Sequence, residues 1–289
     1  MISKSIEPIN VPALLKKYGL RPSKGLGQNF LVDKNALHKV VNAAEISSGD
    51  LILEVGAGLG SLTQHLSAAA QTVITVELDE KLLPVLHETL VSCNNVKIVV
   101  GDILKLNPAN LLLSVDPPAI NRHHSYKVVA NIPYYITSAL IRHLLEAEAQ
   151  PNRMVLTVQK EVGQRICALP PEMSLLALSV QVYGSTRIAA EIPAGAFYPA
   201  PKVDSSVVKI EIFPSPLIPN HLLPMCFRLA KAGFSQKRKT LRNAISAGMA
   251  WPKDEAEASL KAADIDPQRR AQTLTIKEWE RLTTRVTQR

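Results

Sequence analysis

The chain has 289 residues, 46% of them hydrophobic, and a formal net charge of +8. No apolar run approaches the roughly 18 residues that span a bilayer, and the N-terminal residues show no signal or transit pattern, so we expect a globular cytoplasmic protein with no membrane partner. Cys93, Cys167 and Cys226 are far apart in the sequence, which excludes a Cys-x-x-Cys motif and a disulfide framework, so we expect reduced thiols and no metal ion.

The positive charge is concentrated at the two ends of the chain. Residues 220–289 contain 14 Lys and Arg against 7 Asp and Glu, and residues 1–24 contain 5 against 1, whereas residues 25–219 contain 14 against 17. A near-neutral body with basic ends is typical of a catalytic domain with flanks that contact nucleic acid, although basic surface also serves solubility. We predict three segments: a basic N-terminal arm at 1–24, a catalytic domain at 25–213 and a helical domain at 214–289.

Strands and helices alternate along the middle segment. The predicted strands lie at 50–55, 72–77, 96–100, 127–130, 154–158 and 207–212. Segments with helical spacing follow most of them, and this alternation predicts βαβ units with right-handed crossovers. We therefore predict an α/β fold with a doubly wound, Rossmann-like parallel sheet and a small C-terminal helical domain. The prolyl and polar segment 107–125 is predicted to be a surface excursion.

The residues that could take part in ligand binding or catalysis each follow one of these strands. They are the glycine-rich turn that begins at Gly56, the carboxylates of Glu77 and Asp102, and the polar loop that begins at Asn131. In an open parallel sheet, ligands bind beyond the carboxyl ends of the strands. We therefore expect these groups to meet at one edge of the sheet.

The turn Glu54-Val-Gly-Ala-Gly-Leu-Gly60 lets a ligand approach the backbone near a helix N-terminus. A dinucleotide fingerprint would need its third glycine at Ser61, and no phosphate-loop Gly-Lys-Ser or Gly-Lys-Thr is present. Instead, the motif resembles the first motif of class I S-adenosylmethionine-dependent methyltransferases. Glu77 could accept from both ribose hydroxyls and Asp102 from an adenine amine, although each could also be an ordinary surface carboxylate at a strand end.

The loop from Asn131 to Tyr134 (Asn-Ile-Pro-Tyr) could hold an exocyclic amine. Pro133 disfavours helical angles at Ile132, so the backbone is stiff and its carbonyl can be aimed. The Asn131 side chain and the Ile132 carbonyl offer two acceptors beside the flat ring of Tyr134. The alternative is an Asn-Pro turn with a half-buried tyrosine.

This loop resembles the Asn-Pro-Pro-Tyr or Asn-Leu-Pro-Tyr motif of methyltransferases that act on the N6 amine of adenine. Nearly the whole chain is similar to the small-subunit ribosomal RNA adenine dimethyltransferases, the KsgA-like family, which have a Rossmann-like methyltransferase sheet. The resemblance rests on 26–31, the glycine turn, 76–79, 101–102, 131–135, 159–162, 197–206 and 234–243.

The resemblance implies a role for each matching residue. S-adenosylmethionine would be the cofactor, held by Asn29, Leu31, Gly56, Gly58, Glu77, Asp102 and Asn131. The catalytic residues would be Asn131, Ile132, Tyr134 and Phe197, with Phe197 as the second aromatic wall of the target pocket. A monomer would transfer two methyl groups to each of two adjacent adenosines near the 3′ end of 16S ribosomal RNA, in an assembling small subunit.

Three other functions remain open. The large-subunit adenine methyltransferases of the antibiotic-resistance type share the pocket, a non-catalytic ribosome assembly factor would share the fold, and a nicotinamide oxidoreductase is disfavoured by Ser61. The sequence departs from the family in two places. Residues 169–176 lack the Tyr-Gly pair that the family leads us to expect, and 107–125 is longer than usual, but neither segment contains a predicted cofactor residue.

Overall fold

A computed structural model of the chain describes residues 6, 8–115 and 126–288. Within them the α-helices are α1 (Val11–Lys17), α2 (Lys34–Ala44), α3 (Ser61–Ala69), α4 (Leu83–Thr89), α5 (Pro108–Leu113), α6 (Thr137–Leu145), α7 (Lys160–Ile166), α8 (Leu175–Gln181), α9 (Leu223–Phe234), α10 (Leu241–Met249), α11 (Lys253–Ala262) and α12 (Ile276–Thr287). The strands are β1 (Phe30–Leu31), β2 (Leu51–Val55), β3 (Thr72–Glu77), β4 (Val96–Val100), β5 (Tyr126–Asn131), β6 (Arg153–Gln159), β7 (Gly184–Ile192), β8 (Phe197–Tyr198) and β9 (Ser205–Ile212).

The chain forms two compact units. Unit 1 comprises Met1–Gly163 and Arg187–Ile212, and unit 2 comprises Gln164–Thr186 and Phe213–Arg289. The second stretch of unit 2 begins at Phe213, one residue before the start predicted for the helical domain. Residues 164–186, which we had assigned to the catalytic domain, also lie in unit 2, where the Met173 N–H donates to the Gln272 carbonyl at 3.0 Å.

Unit 1 is built around a seven-stranded sheet with the order β4-β3-β2-β5-β6-β9-β7. The strands β4, β3, β2, β5 and β6 are mutually parallel, and β9 is antiparallel to β6. The parallel, Rossmann-like core confirms the predicted fold class. The reversed direction of β9 was not predicted from the sequence, because an apolar strand reads the same in either direction.

The central strand β2 is buried along its whole length, as expected of a strand covered on both faces. On one face, the α2 residues Val40 and Ala44 and the α3 residue Leu66 are fully buried in the same cluster as Ile52 of β2. Asp33 caps α2 by accepting a 2.7 Å hydrogen bond from the Ala36 N–H. The apolar faces of these helices therefore hold the sheet from which the loops of the carboxyl edge project.

Part of the predicted N-terminal arm is a helix. Val11 and Leu15, four residues apart on one face of α1, are buried in a cluster with Phe30, Leu59 and Leu82. This helix was not predicted because it is only seven residues long and its apolar side chains pack against residues that are distant in the sequence. Residues 1–5 and 7 of the predicted arm, and 116–125 of the predicted excursion, lie outside the described residues, whereas 108–113 form α5.

Unit 2 contains α8 to α12 and confirms the predicted helical C-terminal region. Trp279 of α12 is fully buried, and a Cβ at Gly233 of α9 would lie only 2.8 Å from its ring. Thr275 and Glu278 form a capping box at the start of α12. Over the described ranges, no helix is long and apolar enough to cross a membrane.

Candidate active site

A cavity of about 190 Å³ lies in unit 1 at the carboxyl ends of β2, β3, β4 and β5. Eight of the ten predicted site residues line it: Asn29, Gly56, Gly58, Glu77, Asp102, Asn131, Ile132 and Tyr134. They come from five separate segments of the sequence. The strand-end motifs therefore lie together at one edge of the sheet, as the sequence predicts.

The glycine turn exposes backbone to the cavity. Gly56 and Gly58 have φ angles of +80° and +59°, in the left-handed region that side chains disfavour. A Cβ at Gly58 would lie 3.0 Å from the ring of Phe30, and one at Gly56 would lie 3.7 Å from the Asn131 carbonyl oxygen. Both positions therefore require glycine, and α3 begins directly after the turn at Ser61.

Glu77 ends β3, and within the described part of the chain its carboxylate accepts hydrogen bonds from backbone N–H groups alone. Its Oε2 accepts from the Gly58 N–H at 2.8 Å, and its Oε1 accepts from the Asp79 N–H at 2.8 Å. Burial raises the pKa of this carboxyl group, and the backbone N–H groups of Asp79 and Gly58 oppose that shift. A carboxylate has about four acceptor sites, so Glu77 retains acceptors for hydroxyl groups of a ligand.

Asp102 follows β4 and has a partly structural role. Its Oδ1 accepts from the Leu104 N–H at 3.0 Å, which fixes the turn that carries Ile103 and Leu104 into the cavity lining. Its Oδ2 lies 3.9 Å from the ammonium of Lys105, whose side chain is 84% exposed. Such an exposed pair is weak, so Oδ2 remains able to accept from an amine.

The orientation of the Asn131 side chain follows from its partner. Its Nδ2 donates to the Asn29 carbonyl oxygen at 2.9 Å. A carbonyl can only accept, so the nitrogen must face Asn29, and Oδ1 is left without a donor among the residues that the structure describes. The Ile132 N–H donates to Thr157, whereas the Ile132 carbonyl accepts no hydrogen bond from any described residue. Two neighbouring acceptors are therefore available.

Tyr134 stands beside these acceptors with its ring in the cavity lining. Its hydroxyl lies 2.9 Å from Oγ of Ser205, the first residue of β9. Burial raises the pKa of this phenol, so it stays neutral at physiological pH. The next residue, Tyr135, also lines the cavity but is 61% exposed.

Leu31 and Phe197 do not line the cavity. They face each other in the β1–β8 ladder, and both are buried in the core cluster that contains Val40 and Ile52. Side chains alternate between faces along a strand, so Phe30, the neighbour of Leu31, lines the cavity instead. The predicted cofactor contact of Leu31 and the predicted aromatic wall at Phe197 gain no support from these positions and stay predictions.

Two residues near the cavity were not predicted from the sequence. Gln28 lines the cavity, and its Nε2 donates to Asp79 Oδ2 at 2.8 Å, which fastens residues 26–30 to the loop after β3. Glu54 lies fully buried in β2, where its Oε2 accepts from the hydroxyls of Thr63 and Thr75, both at 2.6 Å. Both lie in sequence motifs described above, but their contacts depend on residues that are distant in the sequence.

A comparison with protein families decides the classification. The model for the family described as ribosomal RNA adenine dimethylase matches residues 20–288. The chain belongs to this family. It is also 44% identical over 269 residues to ribosomal RNA small subunit methyltransferase A of Dehalococcoides mccartyi, covering 93% of this chain and 90% of that protein.

Solved structures agree with this classification. A dimethyladenosine transferase from Plasmodium falciparum aligns with a TM-score of 0.74 at 25% identity, covering 90% of this chain and 98% of that one. The 23S rRNA methyltransferase ErmE aligns with a TM-score of 0.69 at 25% identity, covering 90% and 100%. The predicted family, the methyltransferase fold and the assignment as an rRNA adenine dimethyltransferase are thereby confirmed.

Proposed function

We propose that this protein transfers methyl groups from S-adenosylmethionine to the N6 amines of two adjacent adenosines near the 3′ end of 16S ribosomal RNA. It does so as a cytoplasmic monomer that acts on an assembling small subunit. The observation that carries this proposal is the pair of free acceptors, Asn131 Oδ1 and the Ile132 carbonyl, beside the ring of Tyr134.

The cavity suits S-adenosylmethionine by its donor and acceptor set. Within the described part of the chain, no Lys, Arg or His lines it, whereas two carboxylates do. That combination fits a cationic ligand with a ribose and an adenine but no phosphate. Glu77 would accept from the ribose hydroxyls and Asp102 from the adenine amine, while Gly56 and Asn131 would contact the methionine portion. The bound cofactor supplies an electrophilic sulfonium methyl group.

The Asn131 loop would prepare the acceptor amine. The lone pair of an adenine N6 amine is delocalised into the ring, which makes the amine a poor nucleophile. If Asn131 Oδ1 and the Ile132 carbonyl each accept one of its hydrogens, the nitrogen becomes more pyramidal and its lone pair becomes available. Positioning and electrostatic stabilisation would thus supply most of the rate, with Tyr134 stacked on a base that has left its helix.

The small subunit is favoured over the large subunit by sequence. The relative that is 44% identical is named for the small subunit, and the alignment covers 93% of this chain. ErmE, which is named for 23S rRNA, matches at only 25% identity. We further propose that the helical domain contacts RNA phosphates, because Lys237, Arg238 and Lys239 are consecutive and exposed in the turn between α9 and α10.

Methyl transfer to isolated ribosomal subunits tests this proposal. Unmethylated small subunits and large subunits are incubated separately with the enzyme and methyl-labelled S-adenosylmethionine, and small subunits that already carry the modification serve as the control. We expect labelled N6,N6-dimethyladenosine only in the unmethylated small subunits. Label confined to the large subunit would establish the antibiotic-resistance type instead, and no label in either would leave a non-catalytic assembly factor.

A further inference from the structure

Tyr134 is held at both ends. On the backbone side, the Ile132 N–H donates to the Thr157 carbonyl at 3.3 Å, and Pro133 fixes the backbone that leads into the tyrosine. At the far end, the phenol hydroxyl lies 2.9 Å from Oγ of Ser205. Without that second attachment, the ring could still rotate about its side-chain bonds.

Ser205 is a rigid attachment point. It is fully buried, and it faces Gln159 in the antiparallel ladder between β6 and β9. Its main chain is therefore fixed by strand pairing, and its short side chain has only one torsion with which to place the hydroxyl. A hydrogen bond between this hydroxyl and the phenol therefore fixes the ring relative to β9.

The neighbouring hydroxyls show that the Ser205 contact is selective. Thr157 and Ser206 are also fully buried near the same ends of β6 and β9, and neither hydroxyl has a partner among the described residues. Of these three buried hydroxyls, the one that is paired is paired with the ring in the cavity. The general polarity of this region therefore does not account for the contact.

We propose that Ser205 is a positioning residue of the methyl transfer reaction, whose hydroxyl holds the Tyr134 ring in the plane on which the target adenine stacks. This inference rests on the proposed function of Tyr134. The antiparallel strand β9 would thus contribute to an active site that is built mainly by the loops after the parallel strands and by residues 26–30. A ring held in this way would place the N6 amine of the stacked adenine at the same point beside the two acceptors in every turnover.

A double-mutant cycle tests the proposal. Ser205→Ala, Tyr134→Phe and the double variant are compared for kcat and KM on unmethylated small subunits, for S-adenosylmethionine affinity and for Tm. We expect each single variant to lower kcat/KM about tenfold, the effect of one hydrogen bond in the transition state. The double variant should be no worse than either single one, because each change already removes the same bond. Cofactor affinity and Tm should stay near the wild-type values.

The matched control is Ser206→Ala, which removes the adjacent buried hydroxyl that has no partner among the described residues. It should leave kcat/KM unchanged. Full activity of Ser205→Ala, or single effects that multiply in the double variant, would overturn the proposal. If Ser205→Ala fails to fold, Tyr134→Phe alone decides, since its full activity would also overturn it.

Tyr134→Ala separates this inference from the proposed function beneath it. Loss of the ring should lower methyl transfer far more than loss of its hydroxyl. If Tyr134→Ala retains full activity, the stacking role fails and the inference fails with it. If Tyr134→Ala is inactive but the cycle is additive, the stacking role stands and only the role of Ser205 is overturned.

Discussion

The carboxylates at the two ends of the parallel strands in unit 1 have different kinds of partner. At the carboxyl ends, the donors to Glu77 among the described residues are all backbone N–H groups, and Asp102 combines a backbone donor with a distant, exposed lysine. At the amino ends, Asp50 lies 2.6 Å from the ammonium of Lys127, and Glu45 lies within 3.0 Å of Arg153. Ion pairs therefore dominate one edge, and backbone donors dominate the other.

The ion pairs of the amino edge form a connected group. Lys209, which is 4% exposed, lies 2.7 Å from both Glu45 and Glu211, and Arg153 contacts the same two carboxylates. The hydrogen bond from Lys209 is the largest cause that lowers the pKa of Glu45, followed by the charge of Arg153. These carboxylates are held ionised by fixed partners and have few acceptors left for a ligand.

The difference assigns separate roles to the two edges. A carboxylate without a close cation keeps acceptor sites free, but burial then raises its pKa, as at Glu77. A paired carboxylate contributes to stability and leaves little to bind with. We therefore expect changes at the carboxyl edge to affect activity, and changes at the amino edge to affect the free energy of unfolding.

The largest expected effect is at the carboxyl edge. Asn131→Ala removes one of the two acceptors, and we expect methyl transfer to fall about 10³-fold, at the upper end of the loss measured for a single transition-state hydrogen-bond partner. S-adenosylmethionine affinity should change little, because the glycine turn and Glu77 remain. The measurements are initial rates on small subunits and a cofactor titration.

The exposed asparagine Asn42 on α2 provides the matched control for that variant. Asn42→Ala should retain wild-type rates. Robust transfer by Asn131→Ala would contradict the role proposed for the carboxyl edge, because removal of one of its acceptors would then have no effect on activity.

The residues of the carboxyl edge could be found from sequence, because each follows an apolar strand and a strand end is a local signal. The amino edge could not, since Glu45 meets Arg153 and Lys209 only after strands far apart in the chain have paired. The same limit hid the Tyr134–Ser205 contact and the burial of Phe197, both set by the position of β8 and β9. Helix α1 was not predicted because it has only seven residues and its apolar side chains meet Phe30, Leu59 and Leu82, which are distant in the sequence.

The next effect is expected at the amino edge. Asp50→Asn removes the carboxylate that neutralises the ammonium of Lys127, whose side chain is 10% exposed, and leaves it with uncharged acceptors such as the Glu45 carbonyl at 2.7 Å. Breaking a buried pair in this way should lower the free energy of unfolding by about 3 kcal/mol. The rate per folded molecule should not change. Denaturant unfolding and active-site-normalised rates measure the two quantities.

The contribution of Asp50 to the free energy of unfolding should depend on pH. Hydrogen bonds from Lys127 and Ser47 outweigh burial and hold the pKa of Asp50 below its ordinary value of 3.8. Its contribution is therefore complete above that value and is lost as the pH falls through the lower folded pKa. Glu146→Gln, which breaks an exposed pair with Arg142, is the control and should cost less than about 0.5 kcal/mol. Equal losses of unfolding free energy in both variants would refute the stabilising role that we expect for the ion pairs of the amino edge.

The smallest effect is expected at Glu54, a carboxyl group that belongs to neither edge. It is fully buried in β2, and its Oε1 has no partner in the part of the chain that the structure describes. Burial is the main cause that raises its pKa from 4.5 to about 7, against the opposing hydrogen bonds from Thr63 and Thr75. At neutral pH the folded protein therefore holds this group partly protonated.

The sign of the resulting pH dependence is opposite to that of Asp50. Below pH 4.5, Glu54 is protonated in both states, but as the pH rises from there to about 7 the unfolded chain ionises first, so stability falls. Between pH 5 and 7 this loss amounts to about 2 kcal/mol. Glu54→Gln cannot ionise and should remove that part of the decline, which urea unfolding across this range would measure. Parallel curves for the variant and the wild type would mean that Glu54 is already ionised when folded, and a buried carboxylate would then be tolerated here without any cation.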